Sequence, residues 1–210
     1  MDGEMNPKVE CAALSLVRGE LVIYPTETLY ALGASALMPR ALQRIVDLKG
    51  RDAAKPLPVI IAEMDQLRMI SAWDSPDLNR LVQAFWPGPL SILVPALPGL
   101  PPHIQDRRGL VAVRWTPHPV AQSLVRLCKT PLSATSANRS GQKPACRPDE
   151  LNPFLTESVA MVLDCPPFPP GGQPSSLVRI ASPHTLEVLR EGAVPMKDLV
   201  NAGWSICSKN

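Results

Sequence analysis

Three polar clusters, far apart in the chain, carry the groups best suited to chemistry. Tyr24-Pro25-Thr26-Glu27-Thr28-Leu29-Tyr30-Ala31-Leu32-Gly33 offers hydroxyls, Lys49-Gly50-Arg51 with Lys55 close behind offers fixed positive charge, and Ser136-Ala137-Asn138 offers a hydroxyl and an amide. Gathered in one place, such groups suit phosphate oxygens beside a small polar substrate. Each cluster alone has a plainer explanation. Basic residues at a helix C-terminus complement its dipole, strand-end threonines cap turns, and a turn leaving a strand uses Ser and Asn for its own hydrogen bonds. Only their joint occurrence points to a site.

Arg114 adds a fourth group. In a strand over Leu110 to Trp115, Val111, Val113 and Trp115 share one face, and Ala112 and Arg114 the other. The guanidinium could grip a carboxylate through two parallel hydrogen bonds, or extend from a sheet edge into water.

Other chemistries lack their residues. Neither a Walker-type glycine loop nor a dinucleotide fingerprint is present. His103, His118 and His184 are scattered, and no Ser-His-Asp or Cys-His constellation supports covalent hydrolysis. The five cysteines are odd in number and form no Cys-x-x-Cys pair, against a disulfide framework or a zinc site and in favour of a reducing compartment. No metal-ligating set is expected. Trp86, in Phe85-Trp86-Pro87-Gly88-Pro89, reads as a core and turn residue.

The elements that must position these groups follow from periodicity. Apolar runs at 21–24, 58–62, 90–94, 110–115, 131–134, 159–163, 176–180 and 185–189 read as strands, several covered on both faces. Pro39 to Lys49 has helical spacing with Gly50 as its stop, and Pro76 and Pro119 open helices running to about Phe85 and Cys128. The Pro-rich stretches 95–102 and 165–172 read as connecting loops. The alternation predicts a mixed α/β fold. With 210 residues, 45% apolar, 19% charged and a net charge of +2, the chain is an ordinary globular protein of one domain, and charge alone announces no nucleic-acid partner. No run is long enough to span a membrane, and a cytoplasmic location is expected.

Taken in order, Pro25-Thr26-Glu27-Thr28-Leu29-Tyr30-Ala31-Leu32-Gly33, Lys49-Gly50-Arg51 with Lys55-Pro56-Leu57, Trp86-Pro87-Gly88-Pro89-Leu90, Val111-Ala112-Val113-Arg114 with His118-Pro119, Thr135-Ser136-Ala137-Asn138-Arg139-Ser140-Gly141, Ser175-Ser176-Leu177-Val178 and Leu189-Arg190-Glu191-Gly192-Ala193 resemble the YrdC-like family of threonylcarbamoyl-AMP synthases. The likeness runs from about Val17 to Leu199.

That resemblance implies a single twisted mixed β-sheet with flanking helices and a basic concave surface. It implies the short form of the family, with one domain over residues 7–200 and a C-terminal tail at 201–210. The implied reaction joins L-threonine, bicarbonate and ATP into threonylcarbamoyl-AMP with release of pyrophosphate, Mg2+ accompanying the nucleotide. The adenylate would pass to a separate transferase that modifies the adenosine next to the anticodon of certain tRNAs. By motif position, Lys49 and Arg51 would be catalytic, Arg51, Lys55, Ser136, Asn138 and Arg190 would contact ATP, and Thr28, Arg114 and Ser175 would hold threonine. Departures from the family pattern fall at Lys55, Ile60, Leu110, Leu177 and Arg179, positions where altered threonine or phosphate contacts are expected. Two rival readings are a binding module for structured RNA or tRNA on the same basic surface, and a carbamoyl-adenylating relative like the YrdC-like domain of hydrogenase-maturation proteins. The zinc-finger cysteines that accompany the latter are absent here.

Overall fold

Prolines open five of the seven α-helices among the described residues. In the computed structural model, which describes residues 6–52 and 54–207, α1 (Pro7–Val17) begins on a proline whose missing N–H costs nothing in the first turn. Asn6 caps it by accepting from the Lys8 amide at 3.0 Å. The chain then forms β1 (Val22–Pro25), β2 (Tyr30–Gly33) and α2 (Pro39–Lys49). Helix α2 ends at Gly50, whose φ of 56° closes the last turn in the left-handed region. Next come β3 (Val59–Ile61), α3 (Met64–Arg68) and α4 (Pro76–Phe85), the last capped by Ser75 accepting from Leu78 N. Then follow β4 (Leu90–Pro95), β5 (Leu110–Trp115), α5 (Pro119–Cys128), β6 (Leu132–Ser133) and β7 (Thr135–Ser136). The last third holds α6 (Pro153–Thr156), β8 (Met161–Val162), β9 (Ser176–Ser182), β10 (Thr185–Arg190), α7 (Met196–Asn201) and β11 (Ser205–Cys207).

The expected mixed α/β architecture holds, but hydrogen bonding divides the strands between two sheets instead of one. The smaller has the order β7-β2-β1-β8 and the larger β11-β10-β9-β4-β5-β3-β6. Both mix parallel and antiparallel pairs: β1 runs antiparallel to β2 and parallel to β8, while β5 runs antiparallel to β4 and parallel to β3. The sheets meet where Leu132 to Ser136 passes from β6 to β7. There Ser133 N donates to Ala34 O, just beyond β2, while β6 pairs with β3.

Side-chain alternation in the larger sheet creates the site. Leu90, Ile92, Val94, Val111, Val113 and Val178 point into the main core with α2, α4 and α7, and all are fully buried. Ser91, Leu93, Ala112, Arg114 and Leu177 therefore face the other way. The register sets Leu93 opposite Ala112 and Ser91 opposite Leu177. Part of the molecule is closed by a second cluster, in which α1 and α5 pack on Val22, Tyr24 and Ile60. The part bearing Arg114 stays open.

One boundary moves. The stretch expected as a tail supplies β11, which runs parallel to β10 with Ser205 opposite Thr185. Trp204 and Leu199, buried to 2% and 1% exposure, anchor it to the core. Among the described residues, no helix is long and apolar enough to cross a membrane. All five cysteines are free thiols.

Candidate functional site

The open face of the larger sheet and the ends of β2 and β7 enclose a cavity of about 670 Å³. Its walls include Arg51, Lys55, Arg108, Arg114 and Arg190 against one carboxylate, Asp106. Five cations around one acid suit an anion larger than a single carboxylate. The charges sense one another: burial, then the fields of Arg114 and Arg51, push the Arg190 guanidinium below its ordinary value.

Seven of the nine residues expected at a site share this cavity: Thr28, Arg51, Lys55, Arg114, Ser136, Ser175 and Arg190. Thr28 follows β1, whose ladder stops at Pro25 because proline has no N–H to give. Its hydroxyl lies 3.3 Å from that of Thr26, which donates to Leu29 O at 2.7 Å and so fixes the turn. Arg51 lies just past the Gly50 cap, donating from Nε to Lys55 O at 2.9 Å and from Nη2 to Pro56 O at 3.1 Å. Ser136 is held on β7 opposite Ala31. Arg190, at the end of β10, donates from Nε and Nη2 to Ser175 O at 3.0 and 2.8 Å, and Ser175 Oγ sits 3.0 Å from Ser91 Oγ. These bonds lock Ser175 and Arg190 as one unit.

Arg114 is not an edge residue with its charge in water. Strand β5 lies between β4 and β3, and the side chain is only 8% exposed. Its Nε lies 3.0 Å from Glu27 Oε1, a residue 87 positions earlier in the chain. The pair is close enough to be ionic, yet both atoms sit off the line of a hydrogen bond. Glu27 Oε2 instead accepts from Thr116 Oγ1 at 2.6 Å.

The other two lie off the cavity wall. Lys49 does not reach the cavity wall: it is buried to 3% exposure, and its Nζ donates to the carbonyls of Ser136 and Asn138. Burial, then the Arg51 charge, lowers its ammonium to about 8. It props the 136–138 turn from beneath. Asn138 is likewise off the wall, since its Nδ2 donates to Arg139 O and Gln142 O at 2.9 and 2.6 Å and closes the turn. Ile60, expected to alter a substrate contact, is 1% exposed in the cluster beneath α1 and α5, and Arg179 pairs with Glu187 at 2.7 Å instead of facing the cavity. Leu177 does line it.

Sequence reasoning missed Ser91, Leu93, Asp106 and Arg108. The first two lie in a run whose apolar character hides its alternation. The last two carried a visible signal, opposite charges two residues apart before Gly109. Asp106 Oδ1 accepts from Arg108 N and Leu110 N, and Oδ2 from Arg108 Nε and Nη2. Those bonds hold its carboxyl below the usual range even though burial opposes the shift. The same bonds bear on Mg2+. Asp106 is saturated, Glu27 is committed to Arg114 and Thr116, and no three His, Cys, Asp or Glu converge among the described residues. The side chains therefore do not fit a protein-held Mg2+ site.

Comparison with known proteins bears directly on this cavity. Residues 15–192 match the Sua5_yciO_yrdC family model, described as "Telomere recombination". The chain belongs to the Sua5/YciO/YrdC family. Among curated members of the family, a threonylcarbamoyl-AMP synthase of Alkalilimnicola ehrlichii is 38% identical over 199 residues, covering 92% of this chain and 98% of that protein. The Pyrococcus abyssi threonylcarbamoyl-AMP synthase is 32% identical over 192 residues, 91% of this chain but 56% of its own length. The chain thus spans about half the length of that relative, and 46% of a Bacillus subtilis one. A crystal structure of P. abyssi Sua5 complexed with L-threonine superposes with a TM-score of 0.84 at 30% identity, over 95% of this chain and 58% of that one. Escherichia coli YciO, at 20% identity and a TM-score of 0.79 over 91% of this chain and 92% of its own, shares the fold.

Proposed function

We propose that this cavity joins L-threonine, bicarbonate and ATP into threonylcarbamoyl-AMP, releasing pyrophosphate. The observation that carries the reading is the convergence of Thr28, Arg51, Arg114, Ser136 and Arg190 on one cavity, in a chain whose near full-length relative bears that enzyme's name. The volume falls within the roughly 300–1,000 Å³ typical of small-molecule sites. The Pyrococcus structure with L-threonine supports an amino-acid site in the same fold.

In this reading the threonine carboxylate meets Arg114, and the threonine amine nitrogen bonds to the carbon of CO2 with loss of a proton, or to that of bicarbonate with a C–O bond breaking and water leaving. A carbamate oxygen then attacks the α-phosphorus, and the bond to the bridging oxygen of pyrophosphate breaks. The carbamate is short-lived in water, so holding it beside the α-phosphate in one cavity is the main service of the protein. Charge accumulates on the leaving pyrophosphate, where Arg51, Lys55 and Arg190 stabilise it. Lys49 acts only by supporting Ser136. Mg2+ would arrive with the nucleotide, since these side chains do not hold it. The product would be consumed by a transferase acting on tRNA.

The test is pyrophosphate release by the purified chain. It should require threonine and bicarbonate together; release that needs only one of them defeats the proposal. Serine, lacking one methyl, should be used about 10- to 200-fold less efficiently.

A further inference from the structure

We propose that Glu27 is a positioning residue for Arg114, holding the guanidinium by its Nε flank so that the terminal fork faces the cavity and receives the carboxylate of the amino-acid substrate. This rests on the function proposed above and names a residue that the site chemistry has not so far used.

The geometry is asymmetric. Arg114 Nε is fully buried against Glu27 Oε1 at 3.0 Å. Its two terminal nitrogens are not among the sealed, unpartnered atoms, and neither bonds to another described residue, while the side chain lines the cavity. A guanidinium offers five N–H groups in a plane, and a carboxylate is best matched by two parallel bonds from one edge. A counter-ion on the opposite flank leaves an edge open. Had Glu27 met Nη1 and Nη2 instead, it would have filled the place of the substrate.

Glu27 is itself held. Thr116 is fully buried, its amide donates to Ile61 O at 3.1 Å, and its hydroxyl donates to Glu27 Oε2 at 2.6 Å. The His118 amide donates in turn to Thr116 Oγ1 at 3.2 Å. The carboxylate is therefore tied to the rigid exit of β5, the same strand that carries Arg114. Both the angle and the position of the guanidinium are set by one strand and one turn, and little remains to be ordered when substrate arrives.

The experiment is calorimetric titration of the full chain with L-threonine, L-threoninol and ATP. Threoninol lacks the carboxylate, so the preference for threonine over threoninol reads the fork alone. In Glu27→Gln, threonine should bind at least about tenfold more weakly, with threoninol and ATP binding unchanged, and the preference should collapse. An undiminished preference in Glu27→Gln overturns the inference. A loss shared equally by all three ligands also overturns it, because it marks a merely structural role. If Glu27→Gln does not fold, Thr116→Val decides: a preference reduced about threefold supports the role, and an unchanged one refutes it. A wild-type chain that binds ATP and threonine while Glu27→Gln keeps its preference leaves the proposed function standing. A wild-type chain that binds neither ligand overturns both.

Discussion

Lys49 and Arg114 are both buried cations, and the difference between their surroundings separates support from recognition. Lys49 meets two neutral backbone carbonyls and is not part of the cavity wall. Arg114 meets a carboxylate on one flank only and lines the cavity with the rest. A cation that spends two of its three N–H groups on backbone carbonyls fixes a turn first and keeps little for a ligand. One neutralised from the side keeps a binding edge at reduced desolvation cost, because its charge is already compensated.

The largest expected effect comes from Arg114. Arg114→Ala leaves Glu27 buried without its counter-ion, at a cost of about 3–5 kcal/mol in denaturant unfolding, and removes threonine binding altogether. Arg114→Lys keeps the charge without the fork, so threonine affinity should fall about tenfold or more with a smaller stability loss. Equal threonine affinity in the lysine variant would erase the distinction drawn between the two cations.

Lys49→Met comes next. It strands the Ser136 and Asn138 carbonyls, costing about 2 kcal/mol or more, while ATP affinity weakens only as far as Ser136 shifts. A variant of normal stability that binds no ATP would restore Lys49 to the phosphate site. The pH dependence sharpens the point. The folded-state value of about 8 lies below the ordinary 10.5, so between those pH values the unfolded chain holds a proton that the folded chain has shed. Wild-type stability relative to Lys49→Met should therefore rise across that window, measured by urea unfolding at a series of pH values. A neutral amine still has two N–H groups, enough for both carbonyls.

A smaller effect is expected at Gly50, whose φ of 56° sets the turn that carries the chain from Lys49 to Arg51. A Cβ there meets no atom within 4 Å, so Gly50→Ala should cost only the backbone term, about 1 kcal/mol. The smallest is Arg68→Ala, which breaks an exposed pair with Asp65 and should leave the unfolding midpoint unchanged. A shift there comparable to that of Lys49→Met would mean that burial does not rank these cations.

How much of this was legible depended on whether the signal was local. Helix α2 could be read to its ends, because Pro39 and Gly50 are both punctuation, and β5 was bounded correctly by its apolar run. Helix α1 was not read, since its buried stripe includes Ala12 and Ala13 while Leu14 and Val17 face water, which blurs the period. Strand β2 was hidden inside a motif read for its chemistry, and β7 is two residues long, too short for any pattern. At the site, the residue types were informative but their directions were not. Lys49 turns toward a loop 87 residues ahead, and Arg114 toward a carboxylate 87 residues behind. Neither partnership leaves a trace in local spacing. The family pattern names segments that meet at one cavity, and burial separates its wall from its foundation.

The passage of Leu132 to Ser136 between two hydrogen-bonded ladders has a mechanical consequence. Its first residues are stitched to β3 and its last to β2, so the strip works as a rivet through two plates. A guest that touches Ser136 on one plate and Arg190 on the other adds a second rivet across the gap. Saturation at a hundred times the dissociation constant would then secure the assembly by about 2.7 kcal/mol, and protease nicking of both plates should slow together.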